Sequence, residues 1–248
     1  MKILHATDLH YNTSYFDWIT ETQRNYDAIC LTGDFLDSSH RDSLDTQIRW
    51  IKNWACSIKC PLFFCSGNHD ENDTEDLENM DLNSYTSAID EDGFMDPDPY
   101  MDYPSGATDW LRDITSINPL ITSDGGITTV KGIAIGCIPY ETRCFERYRS
   151  CDILLYHVPP AGLGVSKNKG TSDGDELGCQ DVRFALESNL LSPKLVLSGH
   201  IHHPLENISK LGHILISNPG SKTGKNNPLF HNIDLSDQGT EIKTVSAT

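Results

Sequence analysis

The sequence predicts an α/β fold built on a parallel sheet, and three observations carry that prediction. Short apolar runs of strand length recur, amphipathic helical segments separate the first of them, and the runs end abruptly in glycine and polar side chains. In open α/β sheets ligands bind beyond the carboxyl ends of the strands, so function is sought at those endings.

The first run, Ile3-Leu4-His5-Ala6-Thr7, ends in Asp8-Leu9-His10, and a helix is expected from about Phe16 to Tyr26. The second, Ala28-Ile29-Cys30-Leu31, opens into Thr32-Gly33-Asp34. Leu44, Ile48, Ile51, Ala55 and Ile58 then follow at spacings of four, three, four and three. This is one face of an amphipathic helix, which Trp50 and Trp54 widen. The third run, Pro61-Leu62-Phe63-Phe64-Cys65, delivers Gly67-Asn68-His69-Asp70. Strand, helix, strand, twice over, implies parallel pairing with right-handed crossovers.

From Glu71 to about Gly126 the pattern dissolves into Asp, Asn, Ser, Pro and Gly, with a short helix expected near Asp109 to Ile114. The segment reads as an acidic insert in one domain spanning 1–248, with Tyr85, Phe94, Tyr100 and Tyr103 available to fold it over the site as a cap. Ile127 to Val130 and Gly132 to Ile138 read as a hairpin or two consecutive strands, and Arg143 to Arg149 as a short polar helix or turn. A fourth strand ending, Ile153-Leu154-Leu155-Tyr156, leads to His157-Val158-Pro159-Pro160. After a Gly/Ser/Lys-rich loop and a helix around Glu176 to Ser188, the run Leu195-Val196-Leu197-Ser198 ends in Gly199-His200-Ile201-His202. The strand-rich tail, with Ile214 to Ile216, Leu229 to Leu235 and Ile242 to Val245, is expected to form a second sheet packed on the first.

Composition narrows the function classes. The net charge is −17, and twelve acids without a Lys or Arg lie between Glu71 and Asp102, so −12 of it belongs to one segment. Nucleic acid is an improbable partner for such a surface, which has no basic stripe. No apolar stretch approaches the ~20 residues of a membrane span. The start, Met1-Lys2-Ile3-Leu4-His5-Ala6-Thr7-Asp8, reaches a carboxylate too soon for a signal peptide, and a cytoplasmic location is expected. Eight cysteines without a Cys-x-x-Cys pair read as free thiols, several of them in strands.

Collected at one rim, Asp8, His10, Asp34, Asn68, His157, His200 and His202 offer imidazole and oxygen ligands for two divalent ions. The mixed donor set suits Mn²⁺ first, with Fe²⁺ and Zn²⁺ as alternatives, whereas Ca²⁺ would want oxygens only. Two ions roughly 3.5–4 Å apart clamp a phosphoryl group for in-line displacement and lower the pKa of a shared water. Asp34 is the candidate bridge between them. His5 is expected to be a hydrogen-bonded core residue, and His213 and His231 to belong to the tail strands.

Asp8-x-His10, Gly33-Asp34, Gly67-Asn68-His69-Asp70, His157 and Gly199-His200-x-His202 together resemble the ordered motif set of the calcineurin-like metallophosphoesterases. The resemblance implies a four-layer α/β/β/α sandwich of two mixed sheets flanked by helices. It implies that Asp8, His10 and His202 share one metal, that Asn68, His157 and His200 share the other, and that Asp34 bridges. It also implies that His69 is no ligand but protonates the leaving group, with Asp70 orienting it. A neighbouring carboxylate would offset the metals' discouragement of an imidazolium. Asn68, His69 and His203 are the candidate substrate contacts.

Protein phosphatases of this type carry an arginine after the second aspartate of the second motif and end the third in Glu. Here the sequence reads Gly33-Asp34-Phe35-Leu36-Asp37-Ser38, and the third motif ends in Asp70. The Gly-Asn-His-Asp form and the two prolines after His157 are more similar to small bacterial phosphodiesterases, with a phosphomonoesterase as the alternative. A nuclease or a non-catalytic protein-binding scaffold fits less well. The expected substrate is a small-molecule phosphate ester, and Arg143, Arg147, Lys167 and Lys169 are the basic residues nearest the motif loops.

Overall fold

The fold was analysed in a computed structural model that describes residues 1–70, 109–140, 142, 144–169, 176–222, 227–236 and 239–245. The acidic segment, its aromatics and Arg143 lie outside the described residues.

Two six-stranded mixed sheets stack face to face. The first contains β1 (Lys2–Ala6), β2 (Ala28–Thr32), β3 (Leu62–Cys65), β4 (Ile121–Thr122), β11 (Phe230–Ser236) and β12 (Gly239–Val245), in the order β12-β11-β1-β2-β3-β4. The second contains β5 (Ile127–Val130), β6 (Ile133–Cys137), β7 (Ile153–Leu155), β8 (Leu195–Leu197), β9 (Ile208–Leu211) and β10 (Ile214–Ser217), in the order β5-β6-β7-β8-β10-β9. Both have parallel centres, β1-β2-β3-β4 and β6-β7-β8-β10, so their carboxyl ends gather along one rim.

The period-2 alternation of each strand sorts its side chains between two cores. Ala28 and Cys30 of β2 enter the inter-sheet layer with Ile3, Phe63, Ile135, Leu155 and Leu197, while Ile29 and Leu31 turn outward to the helices. Helices α1 (Thr13–Thr22), α2 (Leu44–Ala55) and α3 (Asp109–Ile117) cover the first sheet; α4 (Gln180–Glu187) covers the second through Val182, Ala185 and Leu186. The expected α/β/β/α layering is what the chain adopts. No helix among the described residues is long and apolar enough to cross a membrane.

Two local expectations shift, at the first helix and at the tail. The first helix starts at Thr13, because left-handed residues from Asp8 to Tyr11 finish the turn early, and it gives way to a 3₁₀ turn at Gln23–Asn25. The α2 face forms as spaced, with Ser43 accepting the Thr46 amide at 3.4 Å as its cap, and Trp54 donates from Nε1 to the Phe16 carbonyl at 2.9 Å. The tail is not a sheet of its own. β9 and β10 extend the second sheet, already begun at β5, while β11 and β12 return to flank β1 in the first. The hairpin of β5 and β6 turns at Lys131 and Gly132, both with positive φ (50° and 80°), as a two-residue hairpin loop requires.

Candidate metal centre

The loops after β1, β2 and β3 are stitched into one rigid piece before any side chain is considered. Amides of Asp8, His10 and Tyr11 donate to the carbonyls of Gly33, Asp34 and Phe35 at 3.1, 2.9 and 2.7 Å. This ladder forces left-handed backbone on Asp8 (φ 53°), His10 (41°), Tyr11 (49°) and Asp34 (55°), and His200 (67°) repeats the conformation at the last motif. Such positions cost roughly 1–3 kcal/mol each, persist only where surroundings over-determine them, and cluster at functional sites. The motif glycines are set by space: a Cβ on Gly67 would stand 2.3 Å from Asp34 Oδ1, and one on Gly199 would stand 1.7 Å from Thr7 Oγ1.

Asp70 is the anchor of this piece. Its carboxylate accepts four backbone amides: Gly67 and Asp34 at 2.8 Å on Oδ2, and Phe35 at 2.6 Å and Leu36 at 3.1 Å on Oδ1. Burial and the Asp34 charge push its pKa upward. Yet a carboxyl proton would find no acceptor among four N–H donors, so the loop is built around the ionised form. The expectation that Asp70 orients the His69 ring is therefore corrected: both oxygens are committed to the main chain, which lends Asp70 to the Asp34 loop. His69 instead uses its amide, which donates to Asp34 Oδ1 at 2.9 Å, and its exposed ring packs edge-on to His10 with centroids 5.1 Å apart.

The seven candidate ligands converge in two groups on either side of Asp34. Ligand atoms of Asp8, His10, Asp34 and His202 all lie within 4.8 Å of one another. On the far side, Asn68 Oδ1 lies 3.1 Å from His157 Nε2 and 2.9 Å from His200 Nδ1. Asp34 divides its carboxylate between them, with Oδ1 3.4 Å from His157 Nε2 and Oδ2 3.9 Å from His10 Nε2. His200 and His202 face opposite groups because the chain has left strand geometry between them. His203 is exposed, and its ring makes no hydrogen bond to the cluster among the described residues.

Several contacts are those of a cage built for a cation. His157 and His10 each donate Nδ1–H to a carbonyl, Thr32 at 2.7 Å and Leu36 at 3.3 Å, which turns Nε2 toward the cluster in each ring. His10 Nε2 and His202 Nε2 stand 3.1 Å apart. Asp8 Oδ1, 3.2 Å from His202 Nε2, is buried without a satisfying hydrogen bond among the described residues. A buried carboxylate oxygen beside converging imidazoles is expensive without a cation, and the N/O donor chemistry fits a first-row divalent ion.

Burial opposes charge on both Asp34 and His157, but their mutual attraction prevails. It holds the Asp34 carboxyl well below the usual carboxylate range and raises His157 to about 9. The Asp8 carboxylate beside it raises His202, whereas burial and then the charge of His157 lower His200.

Reading the sequence missed a sixth strand ending. Asn218-Pro219-Gly220-Ser221 follows β10 as the other motifs follow their strands, and that shared grammar was the available signal. Asn218 Nδ2 donates to the carbonyls of Gly199 and Ile201 at 2.9 and 3.2 Å, and Ser221 Oγ to that of Asp8 at 3.1 Å. The Thr7 hydroxyl, 2.6 Å from both Asp8 Oδ2 and the Thr32 carbonyl, was also missed. Of the basic candidates, Arg147 lies over the Tyr148 ring at 5.5 Å. Lys167 and Lys169 are tied through their backbones to Leu205 and His203.

The model of the calcineurin-like phosphoesterase family matches residues 1–204. The crystal structure of TT1561 of Thermus thermophilus is 14% identical, with a TM-score of 0.59 over 98% of both chains. Purple acid phosphatase PPD1 from yellow lupin (Lupinus luteus) seeds is 10% identical, with a TM-score of 0.51 over 98% of this chain and 51% of that one. At such identities these likenesses speak for the fold alone. Among curated proteins none matches. The family match spans the five motifs from Asp8 to His202, and the chain belongs to the calcineurin-like phosphoesterases, a family of metal-dependent hydrolases.

Proposed function

We propose that the protein is a phosphodiesterase whose centre holds two divalent ions, manganese first among them, bridged by Asp34. The observation that carries this reading is the division of the Asp34 carboxylate between two ligand groups, Asp8, His10 and His202 on one side and Asn68, His157 and His200 on the other. When bound, the pair of ions supplies Lewis-acid polarisation of the phosphoryl oxygens and acidifies the attacking water.

The chain's own residues do the rest. Asp70 holds the Asp34 loop against the motif after β3, so the ligands are fixed before substrate arrives. His69 is the proposed proton donor to the departing ester oxygen, a reading supported by its exposure at the rim beside His10. Asn68 and His69 are the proposed substrate contacts, whereas nothing in the geometry of His203 supports one for it. Ser38 stands where a phosphate-clamping arginine would favour a dianionic monoester, which supports the diester reading.

The test is a side-by-side rate on bis- and mono-p-nitrophenyl phosphate with the manganese-loaded protein. Faster turnover of the diester is expected. Inertness toward both at full metal occupancy refutes the reading, and a clear preference for the monoester reassigns the substrate class.

A further inference from the structure

The turn after β10 carries a residue that the metal ligands leave without a counterpart. Gly220 (φ 76°) runs so close to the last motif that a Cβ there would stand 2.6 Å from the His202 carbonyl. Ser221 then grips both ends of the first ligand group, its amide donating to the His202 carbonyl at 2.9 Å and its hydroxyl to the Asp8 carbonyl at 3.1 Å. From the other side, the Tyr15 hydroxyl of α1 donates to the Lys222 carbonyl at 2.6 Å. Lys222 is thus held by Tyr15 at its own carbonyl and follows directly on the residue tied to Asp8 and His202, while the residue itself is exposed.

We infer that Lys222 is the rim cation that holds a non-bridging oxygen of the substrate's phosphate. The inference rests on the reading of the site as one for a phosphate ester. An anionic ester approaching a chain of net charge −17 meets a repulsive field, and a cation at the mouth reverses it locally. Ser38 stands where the protein phosphatases carry an arginine, so the second motif brings no cation of its own to the rim. Lys169 also reaches the last motif, but its amide bonds the His203 carbonyl rather than either ligand segment. Lys222 adjoins Ser221, which is bonded to both. A lysine suits a point contact to a phosphate oxygen, made on a flexible stem from an immobilised backbone.

The test uses the full-length, manganese-loaded protein with inorganic phosphate as the probe, binding being measured by calorimetry for wild type, Lys222→Ala and Lys222→Arg. Because the Tyr15 tether ends on the Lys222 main chain and the Ser221 tethers do not involve Lys222 at all, neither substitution removes them. Lys222→Ala is expected to weaken phosphate binding by about tenfold, and Lys222→Arg to recover most of it, as for the loss and return of one charge-assisted hydrogen bond. The loss should shrink as salt is added, metal content should not change, and with an ester substrate the effect should fall on KM rather than kcat.

Phosphate affinity unchanged in Lys222→Ala overturns the inference, as does a wild type that binds no phosphate. An equal loss in both variants, accompanied by loss of metal or of thermal stability, assigns the residue a folding role and also overturns it. Phosphate binding that depends on Lys222 in a protein inert to both nitrophenyl esters upholds the inference and refutes only the proposed hydrolysis.

Discussion

The molecule has two histidine clusters, and they are opposites. Between the sheets, Thr32 Oγ1, His5, Ser217, His231 and Thr244 form a single chain of hydrogen bonds at 3.0, 2.8, 2.7 and 3.1 Å, and all four ring nitrogens have a hydroxyl partner. At the rim, His10 and His202 face each other nitrogen to nitrogen, and the buried Asp8 Oδ1 has no satisfying hydrogen bond among the described residues. Thr32 touches both clusters, its hydroxyl in the buried chain and its carbonyl on His157. The first cluster is satisfied by its own hydroxyls and joins the sheets; the rim cluster is electrostatically incomplete, and that incompleteness is what supports the proposed metal site.

Substitutions should pull the two apart. Asp34→Asn removes the divided carboxylate and is expected to lower ester hydrolysis by on the order of 10³-fold, comparable to losing a major electrostatic element of an active site. Metal content should fall with it, as read by elemental analysis, and thermal stability should stay close to wild type. His69→Ala should slow turnover by about 10²-fold, the lower end for loss of a general acid. Its metal content should remain intact, and loss of metal in that variant would return His69 to the ligands. In the buried cluster the effects should reverse. His231→Phe breaks the chain at both ring nitrogens, leaving Ser217 bonded to His5 alone and Thr244 without its imidazole partner, and should cost about 1–3 kcal/mol of stability in denaturant unfolding. Its kcat should be unchanged, since no atom of His231 reaches the rim.

Titration offers the finest separation. Burial pushes His231 down to about 4 and also lowers His5, so the unfolded chain binds more protons than the folded one between pH 4 and 6.5. The contribution of this pair to stability is therefore full above pH 6.5 and is lost as pH falls through that window, by up to about 3 kcal/mol for His231 alone. The rim runs the other way. His157, raised to about 9, must lose its proton to ligate, so manganese affinity should climb by up to about tenfold per pH unit toward pH 9, with proton release on binding. A metal affinity that is flat over that range would detach His157 from the site.

The strand endings were legible because a buried parallel strand must be apolar, so a sudden Gly, Asp or His after it has few structural reasons to be there. Helix α2 was legible from its apolar spacing. The tail was not, because alternation identifies a strand but says nothing about which sheet it joins, and β9 to β12 divide between the two. The role of Asp70 was misread for a related reason. Adjacency to His69 suggested a side-chain pair, whereas the left-handed turns of neighbouring loops present four amides to it.

The sequence by itself determined the layered α/β class, the set of rim residues and the family resemblance, since these depend on residue type and order along the chain. Only the tertiary structure decided that Asp34 divides between two groups, that Asp70 serves the backbone, and that Ser221 and Lys222 return to Asp8 and His202. Those relations join segments up to 213 residues apart. Close packing and backbone hydrogen bonding choose such partners in space, and no local pattern encodes them.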